Sequence, residues 1–253
     1  GASTSTGVLL SGVRSITVKR CRFEETLGAE SVGISVAEGS EEIRIEGCRF
    51  DRPMAEQLEV RGAGTVEIRS NEFTSFNGRH AVMVRGASAA NVLVADNEFR
   101  SGTPSRGAVE FAGGAGGSRV VNNVFAGISG KGDPFGILSY RGGGLRVENN
   151  VFFGIKGAGV QLNEMSQFGE YRNNIFMMCG RGIDLHGGVR AGSATTGSVV
   201  DYNLFSANGA DVVGYEAILL DGKAVGQVTS GGYAHWAQKS VAMGYVKPEY
   251  AKD

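Results

Sequence analysis

The chain has 253 residues, 42% of them hydrophobic and 20% charged, with a formal net charge of −1. That balance gives no broad electrostatic pull toward nucleic acid, and no apolar run is long enough to span a membrane as a helix. Its 41 glycines and weak helix signals argue against a helical array.

The opening Gly-Ala-Ser-Thr-Ser-Thr lacks a basic and then apolar leader, so it reads as the start of a processed or truncated product. From about residue 8 one pattern repeats. Phe23, Phe50, Phe73, Phe99, Phe125, Phe152, Phe176 and Phe205 follow one another at a step of about 25 residues. Two residues before each stands a small polar side chain: Cys21, Cys48, Asn71, Asn97, Asn123, Asn150, Asn174 and Asn203. A β-branched run leads into each of these, as in Ile43-Arg44-Ile45, Val66-Glu67-Ile68 and Val92-Leu93-Val94. Such alternation marks a short half-buried strand. A second strand follows each Phe, for example Leu58-Glu59-Val60, Val82-Met83-Val84 and Val160-Gln161-Leu162, and glycine clusters such as Gly142-Gly143-Gly144 end it.

These signals predict an all-β chain, a right-handed parallel β-helix (solenoid) of about eight coils. It would occupy residues 1–206, with the phenylalanines in one internal column and the asparagines in a buried amide ladder. Leucine-rich and WD-type repeats fit the period less well. Cys21 and Cys48 would stack on adjacent coils as buried free thiols, since parallel in-register side chains point the wrong way for a disulfide. Three cysteines without a CxxC pair indicate neither a zinc site nor a disulfide framework, and no cofactor is implied.

The phrases "NNVF", "NNIF", "DNEF" and "DYNLF" resemble those of right-handed parallel β-helix proteins of the pectin-lyase-like superfamily, over about four-fifths of the chain. That superfamily includes lyases, hydrolases, epimerases, tailspikes and non-catalytic binders, so the resemblance implies fold more than activity. It also implies an extracytoplasmic or secreted setting.

In such a solenoid the outward residues of the second strand stack into a ridge. One column is expected to hold Ser35, Glu59, Met83, Glu110, Leu138, Gln161 and Asp184. The next would hold Ala37, Arg61, Arg85, Ala112, Tyr140, Asn163 and His186, with Arg141 and Glu164 beside it. This polar face suits an acidic polysaccharide, because arginine forks bind uronate carboxylates and aromatic faces bind sugar rings. The candidate catalytic set is Tyr140, Arg141, Asp184 and His186, and the candidate substrate-binding set is Arg61, Arg85, Glu110, Asn163 and Glu164. For β-elimination, Arg141 or Arg85 would neutralise the carboxylate and Tyr140 or His186 would take the proton. For hydrolysis, Glu164 and Asp184 would supply the paired carboxyls. Only isolated acids appear, so no calcium cluster is expected, and the Asp96/Glu98 pair reads as solvated. Every outward position of a soluble coil must be polar, and a purely solvated, non-catalytic face is the competing reading. His80, beside Arg79, reads as a turn residue.

Beyond Phe205 the composition changes. Two apolar runs flank Asp221-Gly222, a strong hairpin signal, and a further run spans residues 241–246. Residues 207–253 are therefore expected to form a hairpin-rich appendage. The stretch "DGKAVGQVTSGGYAHWAQKSVAMGYVKPEYA" resembles the C-terminal barrel of the glycine-cleavage T-protein (aminomethyltransferase) family and its sarcosine dehydrogenase relatives. That likeness implies a composite chain, and a fragment or fusion of a folate-dependent enzyme as a third reading. It carries over no catalytic residue, and it makes His235 and Trp236 packing residues. The apolar ends of the coils would permit end-to-end or side-by-side self-association.

Overall fold

The computed structural model describes residues 5–24, 31–51, 54–86, 91–113, 116–163, 166–185, 197–213, 217–220, 223–234, 239–246 and 250. Three parallel sheets wind around one core. The long sheet has nine strands, from Thr6–Leu10 through Glu56–Arg61, His80–Arg85, Gly107–Ala112, Phe135–Tyr140 and Ala158–Asn163 to Ala210–Val213. The second sheet has eight strands, running from Thr17–Lys19 to Val199–Asp201. The third also has eight and carries the phenylalanines, from Arg22–Phe23 to Leu204–Ser206. Every described pairing in these sheets joins a strand to its counterpart one coil away, as expected of a solenoid.

The eight phenylalanines form a continuous stack with ring centroids 4.6 to 5.1 Å apart and planes within 9° of parallel. This matches the spacing between hydrogen-bonded strands, so the backbone ladder sets the stack. The rings leave little room opposite them. A Cβ on Gly136 would lie 2.9 Å from the Phe152 ring, and one on Gly159 would lie 2.6 Å from the Phe176 ring.

The asparagines make the expected ladder. The Nδ2 of Asn71, Asn97, Asn123, Asn150 and Asn174 each donates at 3.0 Å to Oδ1 of the asparagine one coil on. The same oxygen accepts the backbone N–H of the preceding coil's asparagine, as between Asn123 and Asn150 at 2.9 Å. Nδ2 also donates to a carbonyl of the previous coil, such as Val120 for Asn150. A corner that would otherwise strand backbone groups is thereby satisfied on the coils from Asn71 to Asn203.

The residue just before each ladder position is left-handed: Arg20, Gly47, Ser70, Asp96, Asn122, Asn149, Asn173 and Tyr202, with φ between 52° and 62°. Glycine, asparagine and aspartate tolerate that region best. The doubled letter of "NN" therefore encodes two jobs, the first residue turning the chain and the second bonding the coils. Asp96 fills such a corner and pairs with Arg69 at 3.3 Å.

All three cysteines are free. Cys48 replaces a ladder asparagine and keeps part of its role: its backbone N–H donates to Asn71 Oδ1 at 2.8 Å, and its thiol points to the Val18 carbonyl at 3.6 Å. Burial pushes its pKa up. Cys21, expected to be buried, is exposed, because it lies on the first coil and only one side of it is covered by another described coil.

Past the coils, Ala217–Leu220, Lys223–Ala234 and Lys239–Val246 form an antiparallel sheet. Leu220 pairs with Lys223, as a hairpin around residues 221–222 requires. His235 and Trp236 lie outside the described residues.

Candidate functional site on the long sheet

The outward columns read from the sequence align in register. Ser35, Glu59, Met83, Glu110, Leu138, Gln161 and Asp184 are successive partners across adjacent strands. So are Arg61, Arg85, Ala112, Tyr140 and Asn163. His186 and Glu164 lie outside the described residues.

The two columns differ in access. The first was expected to be a solvated ridge, yet Ser35, Glu59, Met83, Glu110, Leu138 and Asp184 are buried. Arginines fold over the carboxylates and cover them. Glu59 is held by Arg61 Nε at 2.6 Å and also contacts Arg85. Glu110 is gripped by Arg106 through two hydrogen bonds, at 2.7 and 3.1 Å. Asp184 sits 3.1 Å from Arg181 Nε, and Arg181 reaches Asp133 at 3.8 Å. The second column stays accessible: Arg61 is exposed, while Arg85, Tyr140 and Asn163 are half-buried. Arg141, left-handed at φ 53°, carries its guanidinium back over the Tyr140 ring, 5.2 Å from the centroid, in cation–π contact.

Tyr140 and Arg141 therefore share one accessible edge with Asn163, Arg85 and Arg61. Asp184 belongs to the covered column and is engaged by a cation. Glu110 and Asp184 are three coils apart, too far for a hydrolytic pair. Among the described residues, no group of three or more His, Cys, Asp or Glu is placed to hold a metal.

One cluster went unread in the sequence. His80 is not a turn residue: it opens the strand His80–Arg85 and is 3% exposed. Its Nε2 lies 2.7 Å from Glu110 Oε2 on the next coil, and its Nδ1 lies 3.7 Å from Glu56 Oε1 on the previous one. The second distance is too long for a hydrogen bond, so Nδ1 has no hydrogen-bond partner. Arg79 binds Glu56 at 3.0 and 3.2 Å, as Arg106 binds Glu110. The result is a line, Arg79–Glu56–His80–Glu110–Arg106, across three coils. Arg85, 3.8 Å from Glu56, joins it to Glu59 and Arg61.

Burial by itself would raise the carboxyls of Glu56 and Glu110 and lower the imidazole pKa of His80. The hydrogen bonds and opposite charges outweigh it, so both glutamates titrate below the usual carboxylate range and His80 above the usual imidazole range. The glutamates' contribution to stability is thus present above their unfolded pKa and lost as pH falls through the folded values. That of His80 is present below its unfolded pKa and lost as pH rises through its folded value. The network holds best between these limits.

On the third sheet Arg22 pairs with Asp51 and Arg49 with Glu72 across coils. On the second sheet, cations alternate with carboxylates between coils: Lys19–Glu46, Arg44–Glu67, Arg69–Asp96, Arg119–Glu148 and Arg146–Glu170. A cleft beside Ser15, Thr17, Glu42 and Thr65 is part of this paired face. Exposed pairs of this kind contribute little each, about 0–1 kcal/mol.

A family model described as "Right handed beta helix region" matches residues 6–103 and 32–231. The chain belongs to the right-handed β-helix family. Among solved structures, the periplasmic alginate epimerase AlgG is similar at a TM-score of 0.53 and 13% identity, covering 73% of this chain and 49% of that one. This chain therefore spans about half the epimerase's length, and the likeness is one of fold. Looser likenesses are to an alginate lyase from Paenibacillus sp. str. FPU-7 (TM-score 0.41, 12% identity, 84% and 100% covered) and to PfbA, a surface adhesin of Streptococcus pneumoniae (0.32, 10%, 84% and 70%). No curated protein matches the chain. The T-protein resemblance of residues 214–251 thus finds no support, and the β-helix family match itself runs on to residue 231.

Proposed function

We propose that the long-sheet face recognises an acidic polysaccharide, with its uronate groups along Arg61, Arg85 and Arg141 and a sugar ring against Tyr140. The observation that carries this is the in-register, accessible edge formed by Arg61, Arg85, Tyr140 and Asn163. Adjacent coils are about 4.8 Å apart, close to the length of one sugar in an extended chain. A polymer laid across the coils then meets a new side chain at each residue. The alginate epimerase of the same fold supports an acidic sugar polymer as the ligand class.

If the face is also catalytic, β-elimination is the reaction its residues suit. Arg141 would neutralise the uronate carboxylate, and Tyr140 as its phenolate would take the C5 proton. A C4=C5 double bond would form as the C4–O glycosidic bond breaks, and the leaving oxygen would take a proton back from the phenol. Arg141→Ala is expected to weaken polyuronate binding about tenfold, equivalent to about 1.4 kcal/mol. Tyr140→Phe is expected to leave affinity nearly unchanged and to abolish any ultraviolet absorbance from unsaturated uronate. Wild-type binding without that absorbance would make the protein a non-catalytic carbohydrate-binding solenoid. Unchanged affinity in the Arg141 variant would remove this face from the function.

A further inference from the structure

Around His80 the described residues of the long-sheet face carry an excess of positive charge. Among them Arg61, Arg79, Arg85 and Arg106 face three carboxylates, Glu56, Glu59 and Glu110, with His80 between them. The arginines also come as two stacked pairs. Arg61 and Arg85 are register partners. Arg79 and Arg106 each precede a member of the pair His80–Gly107, and Gly107 N–H donates to the Arg79 carbonyl at 3.3 Å. Like charges on neighbouring strands, about 4.8 Å apart, repel one another. The buried glutamates beneath offset part of that repulsion. An anion above would offset the rest.

The donors for such an anion are in place. Arg79 and Arg106 each use Nε and Nη2 on their glutamate, and a guanidinium has five N–H groups, so three remain on each. Their side chains are 51% and 47% exposed. Arg85 Nε and His80 Nδ1 are buried without hydrogen-bond partners. Arg85 Nε always carries a proton, so an orphaned buried donor there points to a missing acceptor, whereas Nδ1 of a protonated His80 faces Glu56 at 3.7 Å.

We propose that Arg79, Arg106, Arg85 and Arg61 form an anion subsite for a carboxylated sugar, and that the proton on His80 beneath them sets its strength. This rests on the long face being the polysaccharide-binding face, and extends it to the opposite edge of the strands. The charged groups around His80 are Glu56 from the preceding coil, Arg79 and Arg85 from its own, and Glu110 and Arg106 from the next. Four arginines and three carboxylates sum to +1, and to +2 when His80 is protonated. Burial works against that proton, but Glu110 and Glu56 retain it above the usual imidazole range. Affinity for a polyanion is therefore expected to fall as pH rises through the His80 titration.

The test is calorimetric titration of the full chain with an oligouronate, over a pH series at fixed salt, with dextran sulfate, which carries no carboxylate, as a sulfated comparison. Arg79→Gln and Arg106→Gln are each expected to weaken oligouronate binding about tenfold. Because removing an arginine strands a buried glutamate, the paired variant Arg106→Gln/Glu110→Gln is measured alongside, and the same loss is expected. His80→Gln is expected to flatten the pH profile while keeping the high-pH affinity. Oligouronate affinity unchanged in the Arg79 and Arg106 variants overturns the subsite; if Arg141→Ala weakens binding in the same experiment, the proposed function still stands. The opposite pattern keeps the subsite and overturns the Tyr140–Arg141 edge. A wild-type affinity independent of pH removes His80 from the mechanism, tighter binding of dextran sulfate overturns the carboxylate assignment, and no binding of either ligand overturns both.

Discussion

Phe125→Ala is expected to destabilise the coils by about 4 kcal/mol, within the range for truncating a fully buried phenylalanine. Phe125 has no solvent exposure and stacks on Phe99 at 4.7 Å and Phe152 at 4.8 Å. Alanine there opens a cavity at mid-stack and ends two ring contacts. The coils cannot close the gap, because the backbone ladders on either side hold the neighbouring rings at their spacing. The urea midpoint of the full chain measures the effect. A loss below about 1 kcal/mol would mean that the stack relaxes freely and does not hold the solenoid together.

Asn150→Leu should come next, at about 3 kcal/mol, because leaving a buried polar group unpaired costs about 1–3 kcal/mol and several are left here. The Oδ1 of Asn150 accepts from both Asn123 N–H and Asn123 Nδ2, at 2.9 and 3.0 Å. Its Nδ2 serves the Val120 carbonyl, the Glu148 carbonyl and Asn174 Oδ1. Leucine fills similar volume and removes all of these bonds. Asn150→Asp should cost at least as much, since its second carboxylate oxygen would face the Val120 and Glu148 carbonyls and Asn174 Oδ1 with no proton to donate. A loss no greater than that of the exposed control Lys131→Ala would remove the ladder as a source of stability.

The solenoid was legible because its chemistry repeats. A ring at one offset and an amide two residues earlier recur on nearly every coil, and each repeat is physically the same contact. The left-handed corner was written beside them in the "NN" and "DN" pairs, although its geometry appears only in the backbone of Asp96, Asn122, Asn149 and Asn173. The outward columns were legible too, since strand alternation fixes which residues align.

What the sequence did not reveal was access. Glu59 and Glu110 occupy positions that alternation assigns to solvent, and long arginines then close over them. That depends on side-chain reach across coils. The His80 network was hidden for a related reason. Its equivalents along the sheet are Glu56, Gly107 and Phe135, with no chemical type in common, so no periodic signal marked the position. The one available cue was charge: an arginine directly before the strand in two successive coils, at Arg79 and Arg106. In the tail the hairpin was legible from Asp221-Gly222 between two apolar runs, and Leu220 pairs with Lys223 in an antiparallel sheet. The family likeness read there finds no support, and the β-helix family match reaches residue 231.

The most direct measurement is a crystal structure of the full chain with a uronate oligosaccharide. The sugar should lie across the coils on the long-sheet face, with carboxylates within hydrogen-bond distance of Arg61, Arg85 or Arg141 and a ring against Tyr140. A well-defined sugar seated on the second or third sheet, with the long-sheet arginines untouched, would contradict the assignment.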